Sequence, residues 1–154
     1  MPLNKDLREL LGLLNSNEVE YIVVGAFALA YHGYPRYTGD LDIFIRPTPE
    51  NADRVLRALS QFGFGGLGIQ ADDLRHPGKV IQLGVQPNRL DLLTEISGIT
   101  FDDAWSTRAK ADLEGIPTQF IGHAALLRNK ESTGRAKDLG DAQELRKRAP
   151  DQKA

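Results

Sequence analysis

Apolar residues along the first half of the chain alternate between helical and extended spacing, with glycine and proline at the boundaries. Leucines at helical spacing open the chain, and β-branched or aromatic runs follow them. Gly25 stops the first run, and Pro49 is placed to open a helix. The predicted elements are a helix ending near residues 15–17, a strand at 21–24, a short helix at 26–31, a strand at 41–45 and a helix at 50–62.

The second half begins with four glycines in the six residues 63–68, which predict a flexible connection. Phe101 and Trp105, at i and i+4 in a predicted helix, are expected to pack rather than to stack on a base. The remaining predicted elements are strands at 80–85 and 89–93 joined by a turn at 86–88, extended pieces at 111–113 and 118–121, and helices at 123–129 and 136–148. The order predicts a mixed α/β (α+β) domain with a mostly antiparallel sheet flanked by helices.

The composition narrows the class of protein. A length of 154 residues fits a single domain, predicted at 1–149 with a flexible tail at 150–154. The chain lacks cysteine, which excludes disulfides and thiolate metal sites, and its net charge of -2 gives no global preference for nucleic acid or membrane. Residues 1–14 do not read as a signal peptide, and no apolar run is long enough to span a bilayer, so we expect a cytoplasmic protein without a membrane partner.

Two aspartates in the second strand are the sharpest candidate for chemistry. Because strand side chains alternate, Asp40 and Asp42 share one face of the sheet. Two neighbouring carboxylates repel each other unless a cation lies between them, and paired oxygen ligands suit Mg²⁺. The alternative is a solvated strand end that carries two surface acids.

A glycine turn and a third aspartate are further candidates for the same site as Asp40 and Asp42. Gly25 and Ala26 lie where a strand passes into a helix, a position that lets phosphate approach the backbone. Asp91 lies among leucines in a later strand, where it either faces solvent, pairs with Arg89 on its own face, or joins the first two aspartates. Three such carboxylates would hold two metal ions for phosphoryl chemistry.

The stretch YIVVGAFALAYHGYPRYTGDLDIFI resembles the minimal nucleotidyltransferases of the DNA polymerase beta superfamily, especially the bacterial abortive-infection and toxin–antitoxin nucleotidyltransferases. The tail LLRNKESTGRAKDLGDAQEL is similar to the Asn-Lys…Gly-Arg-x-Lys-Asp pattern of the same group. The matching residues are Gly25, Ala26, Arg36, Thr38, Asp40, Asp42, Asp91, Lys130, Arg135, Lys137 and Asp138. The resemblance spans roughly residues 20 to 145.

The resemblance implies the nucleotidyltransferase fold and a two-metal Mg²⁺ site that transfers a nucleoside monophosphate from an NTP to a hydroxyl. In that role Asp40 and Asp42 bridge both metals, and Asp91 holds the metal nearer the acceptor. The nucleotide-binding candidates are Gly25, Ala26, Arg36, Thr38, Lys130 and Lys137, with Lys130 as the expected triphosphate clamp. Solvated or surface-paired cations are the alternative for the basic residues, and Asp138 is either a cap or an ion-pair partner.

Two functions remain open at this stage. The first is an active enzyme whose acceptor is a protein, a tRNA end or a small molecule. The second is a catalytically weak nucleotide-binding or partner-binding module, for example the antitoxin-like half of a toxin–antitoxin pair. Ala26 favours the second, because related proteins place glycine or serine there and alanine has no hydroxyl to donate to a phosphate. The three aspartates favour the first.

Overall fold

The computed structural model describes residues 3–35, 40–85 and 89–148, which form seven helices, one 3-10 turn and six strands. The helices are α1 (Lys5–Ser16), α2 (Gly25–Tyr31), α3 (Pro49–Phe62), α4 (Ala71–Leu74), α5 (Phe101–Ser106), α6 (His123–Ser132) and α7 (Ala136–Arg146), and the 3-10 turn is Gly65–Leu67. The strands are β1 (Tyr21–Val24), β2 (Asp40–Ile45), β3 (Val80–Leu83), β4 (Arg89–Leu93), β5 (Ala109–Leu113) and β6 (Ile116–Phe120).

The six strands form one mixed sheet in the order β3-β4-β2-β1-β6-β5. Three neighbouring pairs are antiparallel and two, β2 with β4 and β1 with β6, are parallel. The predicted mixed, mostly antiparallel sheet flanked by helices is confirmed. The parallel pairing of β2 with β4 matters most, because it places two strands that are distant in sequence side by side at the centre of the sheet.

The two faces of the central strands differ in polarity. Leu41, Ile43 and Ile45 point to one face and are fully buried. Helix α1 packs on that face, since the Tyr21 hydroxyl donates to Asn15 Oδ1 at 2.8 Å, and α1 also packs against α3. The other face carries the aspartates of β2 and β4 and is only partly covered. This face can therefore hold a ligand.

The prediction from the sequence missed one short helix and misplaced some element boundaries. Helix α4 begins with a capping box in which Gln70 and Asp73 bond each other's backbone, a signal present in the sequence. The predicted flexible connection contains the 3-10 turn, and β3 ends at Leu83 rather than at residue 85. The predicted turn at 86–88 lies outside the described residues. No helix in the described part of the chain combines the length and apolarity needed to cross a membrane.

Candidate active site

The central row of the sheet brings two of the predicted aspartates together. In the parallel β2–β4 pair Asp42 lies directly opposite Asp91, and Asp40 lies opposite Arg89. Val24 flanks Asp42 on β1, and Gln82 flanks Asp91 on β3. Directly paired residues point to the same face, so all three aspartates share one face of the sheet. The strand alternation predicted for Asp40 and Asp42 is confirmed.

Asp42 is the most perturbed acid of the site. Burial, followed by the charge of Asp91, a hydrogen bond with Asp91 and the charge of Asp40, raises the pKa of Asp42 to about 7. The charge of Lys130 acts in the opposite direction but is the smaller influence. A large upward shift caused by burial and like charges marks a carboxylate that lacks sufficient cationic compensation.

Arg89 supplies part of that compensation. Its Nε and one terminal nitrogen donate to the two carboxylate oxygens of Asp91 at 3.0 and 3.1 Å, and its Nε lies 3.7 Å from Asp40 Oδ1. The hydrogen bond with Asp91 is the main cause that raises the pKa of Arg89. One alternative considered for Asp91, pairing with Arg89, is therefore what the structure shows. A cationic group already lies at the aspartates.

The carboxylates of the site have the oxygen ligands that a divalent cation prefers, but their positions do not enclose one. Among the described residues, no three histidine, aspartate or glutamate side chains stand close enough to enclose a metal ion as they are. Mg²⁺ commonly uses only one or two protein carboxylates and takes its remaining ligands from substrate phosphates and water. Asp42 and Asp91 are such a pair, and Asp42 must lose its proton to serve as a ligand.

Gly25 lies against the carboxylate of Asp42. It begins α2 with a φ of 68°, and a Cβ at this position would overlap Asp42 Oδ2. Both the left-handed backbone and the close approach require glycine here. Ala26 is buried and is not among the described residues that line the cleft above the aspartates. The structure thus brings Gly25 to the site but leaves Ala26 behind it.

The cleft above the aspartates has a volume of about 470 Å³. We call it the aspartate cleft; it extends from Gly25 across the sheet to Val80 and is bounded by α6 and the start of α7. Its polar lining is Asp40, Asp42, Asp91, Glu95, Ser97, Asn129, Lys130, Thr133, Arg135 and Asp138. Glu95, Asn129 and Arg135 were not among the predicted site residues, although Asn129 and Arg135 belong to the tail motif.

Lys130 reaches the aspartate cleft within a buried ion-pair cluster. It is 8% exposed, and its Nζ lies 3.2 Å from both Asp138 Oδ1 and Asp141 Oδ2. Asp138 Oδ2 also accepts from Thr133 Oγ1 at 2.7 Å and from Arg135 Nε at 2.8 Å. Burial alone would raise the pKa of Asp138, but these hydrogen bonds and Lys130 hold it below its usual value. Asp138 is thus an ion-pair partner, one of its two predicted roles.

The other predicted binding residues are placed less favourably or lie outside the described part. Lys137 is exposed and is not among the described residues lining the aspartate cleft. Arg36 and Thr38 lie outside the described residues. Arg135 has a side chain that is 76% exposed and lines the cleft, so the geometry favours it over Lys137 as a second cation.

Two contacts outside the aspartate cleft are structural. His32 Nε2 lies 2.7 Å from the carbonyl oxygen of Ile121, which joins α2 to the end of β6. Phe101 stacks on Trp105 at 5.5 Å between ring centroids and meets Phe44 edge-to-face at 5.0 Å. Helix α5 therefore packs against the sheet through these aromatic rings.

Comparisons with known proteins identify the fold. No family model and no curated protein matches the chain. A candidate nucleotidyltransferase from Thermotoga maritima has a similar structure, with a TM-score of 0.58, 18% identity, and coverage of 92% of this chain and 88% of that one. The solution structure of the antibiotic-resistance factor ANT(2″)-Ia has a TM-score of 0.55 and 12% identity, with coverage of 91% of this chain and 80% of that one. An antigenic nucleotidyltransferase-like protein from Paracoccidioides brasiliensis has a TM-score of 0.54 and 22% identity, with coverage of 94% of this chain and 78% of that one. The chain has the nucleotidyltransferase fold.

Proposed function

We propose that this protein is a Mg²⁺-dependent nucleotidyltransferase that moves a nucleoside monophosphate from an NTP to a hydroxyl group. The observation that carries the proposal is the pairing of Asp42 with Asp91 across β2 and β4, beside Asp40 and beneath Gly25. An upward-shifted carboxylate in a cleft of this size is a typical functional-site signature. The shared fold supports the same reaction class.

The aspartates divide the work according to their positions. Asp40 and Asp42, on one strand, would hold the metal ions that neutralise charge at the α-phosphate and on the leaving pyrophosphate. Asp91, on the neighbouring strand, would hold the metal nearer the acceptor, orient the acceptor hydroxyl and take its proton, once Arg89 has released the two oxygens of Asp91. The acceptor oxygen then bonds to the α-phosphorus while the bond from that phosphorus to the pyrophosphate oxygen breaks.

The triphosphate would lie between Gly25 and the cations of α6 and α7. Gly25 leaves room beside Asp42 for a close approach of phosphate to the backbone. Lys130 and Arg135 border the same cleft and would contact the non-bridging phosphate oxygens. Lys130 has to exchange part of its pairing with Asp138 and Asp141 for the phosphate, which limits what it adds to affinity.

Labelling of cell extract tests the proposal. The protein is incubated with each of four α-labelled NTPs, Mg²⁺ and extract, and labelled protein, RNA and small molecules are separated. Asp42→Asn and Asp91→Asn serve as inactive controls, and Asp53→Asn, an exposed acid on α3, serves as the active one. Label that requires Asp42 and Asp91 supports transfer, whereas label that persists in both variants rules out this site.

A catalytically weak binding module is the second candidate. The hydrogen bonds from Arg89 to both oxygens of Asp91 favour this candidate, because a carboxylate whose two oxygens already accept from arginine is not free to bind metal. Such a module, including the antitoxin-like partner of a toxin–antitoxin pair, would bind Mg²⁺ and NTP together without transferring label. Calorimetry distinguishes the two candidates when combined with the labelling result. Tight NTP binding in EDTA, equal to that in Mg²⁺, would contradict both.

A further inference from the structure

A second cleft adjoins the aspartate cleft and has a volume of about 530 Å³. We call it the neighbouring cleft; its walls include Phe44, Glu95, Ile96, Ile99, Phe101 and Asp103. Glu95 and Ile96 line both clefts, so the two spaces adjoin at these residues. A molecule seated in the neighbouring cleft would reach the aspartates past these two side chains.

The strand register places the neighbouring cleft on the opposite side of the aspartates from Gly25. β1 runs antiparallel to β2 with Val24 opposite Asp42, so Gly25 lies towards the Asp40 end of β2. Phe44 lies two residues along β2 in the other direction, roughly 7 Å from Asp42. In-line displacement at phosphorus needs the attacking and leaving oxygens on opposite sides. With the pyrophosphate near Gly25, the acceptor must approach from the side of Phe44.

The lining of the neighbouring cleft combines an apolar wall with unpaired carboxylates. The accessible apolar wall is formed by the partly buried Ile96 and Ile99, because Phe44 and Phe101 are only 1% and 6% exposed and Arg46 already lies over the Phe101 ring. Glu95 and Asp103 are exposed, and among the described residues no ion pair engages either carboxylate. Asp102, the neighbour of Asp103 on α5, is by contrast paired with Arg46.

The charge of the joined clefts is strongly negative. Seven carboxylates line the two clefts or pair with lining residues, namely Asp40, Asp42, Asp91, Glu95, Asp103, Asp138 and Asp141. Four cationic side chains in the described part of the chain line or contact the clefts, namely Arg89, Lys130 and Arg135, together with Arg46, whose guanidinium lies over the ring of the lining residue Phe101. Two Mg²⁺ ions offset the charge of the triphosphate, so this excess of acid remains when both are bound. Electrostatic complementarity then favours a cationic acceptor and disfavours a polyanion such as RNA.

We propose that the neighbouring cleft binds the acceptor and that the acceptor is a small molecule with an ammonium group on an apolar or aromatic frame. This assignment depends on the nucleotidyl transfer proposed above. The ammonium would contact Glu95 and Asp103, and the frame would lie on Ile96 and Ile99. A hydroxyl of the same molecule would attack the α-phosphorus, giving its proton to Asp91 as the phosphorus–pyrophosphate bond breaks. No oxidation or reduction is involved.

Three probes of the same size test the chemistry without turnover. Phenethylammonium, 2-phenylethanol and phenylacetate share one ring and differ only in charge. Their binding to the full chain in Mg²⁺ buffer is measured by ligand-observed NMR. We expect phenethylammonium to bind about tenfold more tightly than 2-phenylethanol, as one charge-assisted contact allows, and phenylacetate to bind least. Equal binding of the three, or preference for the anion, would overturn the proposal.

Variants locate the probe. Glu95→Gln with Asp103→Asn should remove the preference for phenethylammonium but leave the binding of 2-phenylethanol unchanged. Asp102→Asn, one residue from Asp103 on α5, is the matched control and should behave as wild type, because its carboxylate lies outside the cleft. Loss of the preference in Asp102→Asn alone would place the site elsewhere. Tighter binding of a single-stranded RNA oligonucleotide than of phenethylammonium would also overturn the proposal.

A parallel titration with Mg²⁺ and ATP separates the two proposals. If phenethylammonium binds as expected but Mg²⁺–ATP does not bind, the ammonium site is supported and the proposal of nucleotidyl transfer is contradicted. If Mg²⁺–ATP binds but the three probes bind equally, the proposed acceptor class is contradicted and nucleotidyl transfer is still supported.

Discussion

Two groups of carboxylates, one on the sheet and one on the helices, lie in or beside the aspartate cleft, and they differ in how their charge is balanced. On the sheet, Asp42 lies beside Asp91, and its pKa is raised to about 7 by burial and by its acidic neighbours. On α6 and α7, Asp138 and Asp141 share Lys130, and the pKa of Asp138 is lowered. The helical group is electrostatically complete without a ligand, whereas the sheet group gains from an added cation.

The difference indicates different roles for similar residues. A carboxylate with its charge satisfied by neighbours holds other groups in position, as Asp138 holds Lys130 and Arg135 at the edge of the cleft. A carboxylate whose negative charge is not balanced by neighbouring cations attracts a cation, and this attraction is the source of affinity in a cation-binding site. The sheet group should therefore tolerate neutralisation, and the helical group should not.

The largest expected effect is on the helical group. Lys130→Met removes the cation shared by Asp138 and Asp141 and leaves two buried charges poorly compensated, so we expect a loss of about 3–5 kcal/mol in the free energy of unfolding. Urea denaturation measures it. The control is Lys147→Met, which breaks an exposed pair with Glu144 and should have little effect on stability. Equal losses in the two variants would mean that the cluster is not structural.

The next effect concerns the pH dependence that Asp42 gives the sheet group. Its pKa is raised from 3.8 to about 7, so between these values the folded state binds a proton that the unfolded state does not. This stabilising contribution is complete below about pH 4 and is lost as the pH rises through 7, to an extent on the order of 4 kcal/mol. Asp42→Asn should remove this slope and be the more stable protein at pH 8 in EDTA. Parallel stability curves for the two proteins would contradict the prediction.

Arg89 gives a third, smaller test of the same comparison. Arg89→Gln removes the resident cation from Asp91 and Asp40 and should lower the free energy of unfolding in EDTA, by less than Lys130→Met does. Mg²⁺ should raise the melting temperature of the variant more than that of wild type, because Mg²⁺ no longer competes with arginine. Arg75→Gln, which breaks an exposed pair with Asp72, is the control. A smaller Mg²⁺ effect in Arg89→Gln than in wild type would show that arginine and metal do not compete.

The sequence could predict the local part of the site but not its assembly. Alternation along one strand is enough to place Asp40 and Asp42 on one face, whereas the meeting of Asp42 with Asp91 depends on a parallel pairing between distant strands. Whether Asp91 would meet Arg89 depends on rotamers that the sequence does not contain. Helix geometry explains why Lys137 does not line the cleft. Asp138 and Asp141 lie on the buried face of α7, so the adjacent Lys137 lies on the exposed face.

The smallest expected effect is at Ala26. From the sequence alone, a serine at this position should add a phosphate donor and tighten NTP binding up to roughly tenfold. The structure reduces that expectation, because Ala26 is buried and is not among the described residues that line the aspartate cleft. We now expect Ala26→Ser to change NTP affinity by less than about threefold and to cost about 1 kcal/mol in stability for burying a hydroxyl. Calorimetry in Mg²⁺ and urea denaturation measure the two quantities.

The comparison that sharpens the Ala26 prediction is Gly25→Ala, one residue earlier. There the added methyl would overlap the Asp42 carboxylate and force an unfavourable positive φ, so NTP binding should fall by more than tenfold. Ala26→Leu adds bulk behind the turn and should lower stability more than affinity. If Ala26→Ser instead tightens NTP binding tenfold while Gly25→Ala leaves it unchanged, phosphate is bound on the Ala26 side of the turn and not beside Asp42.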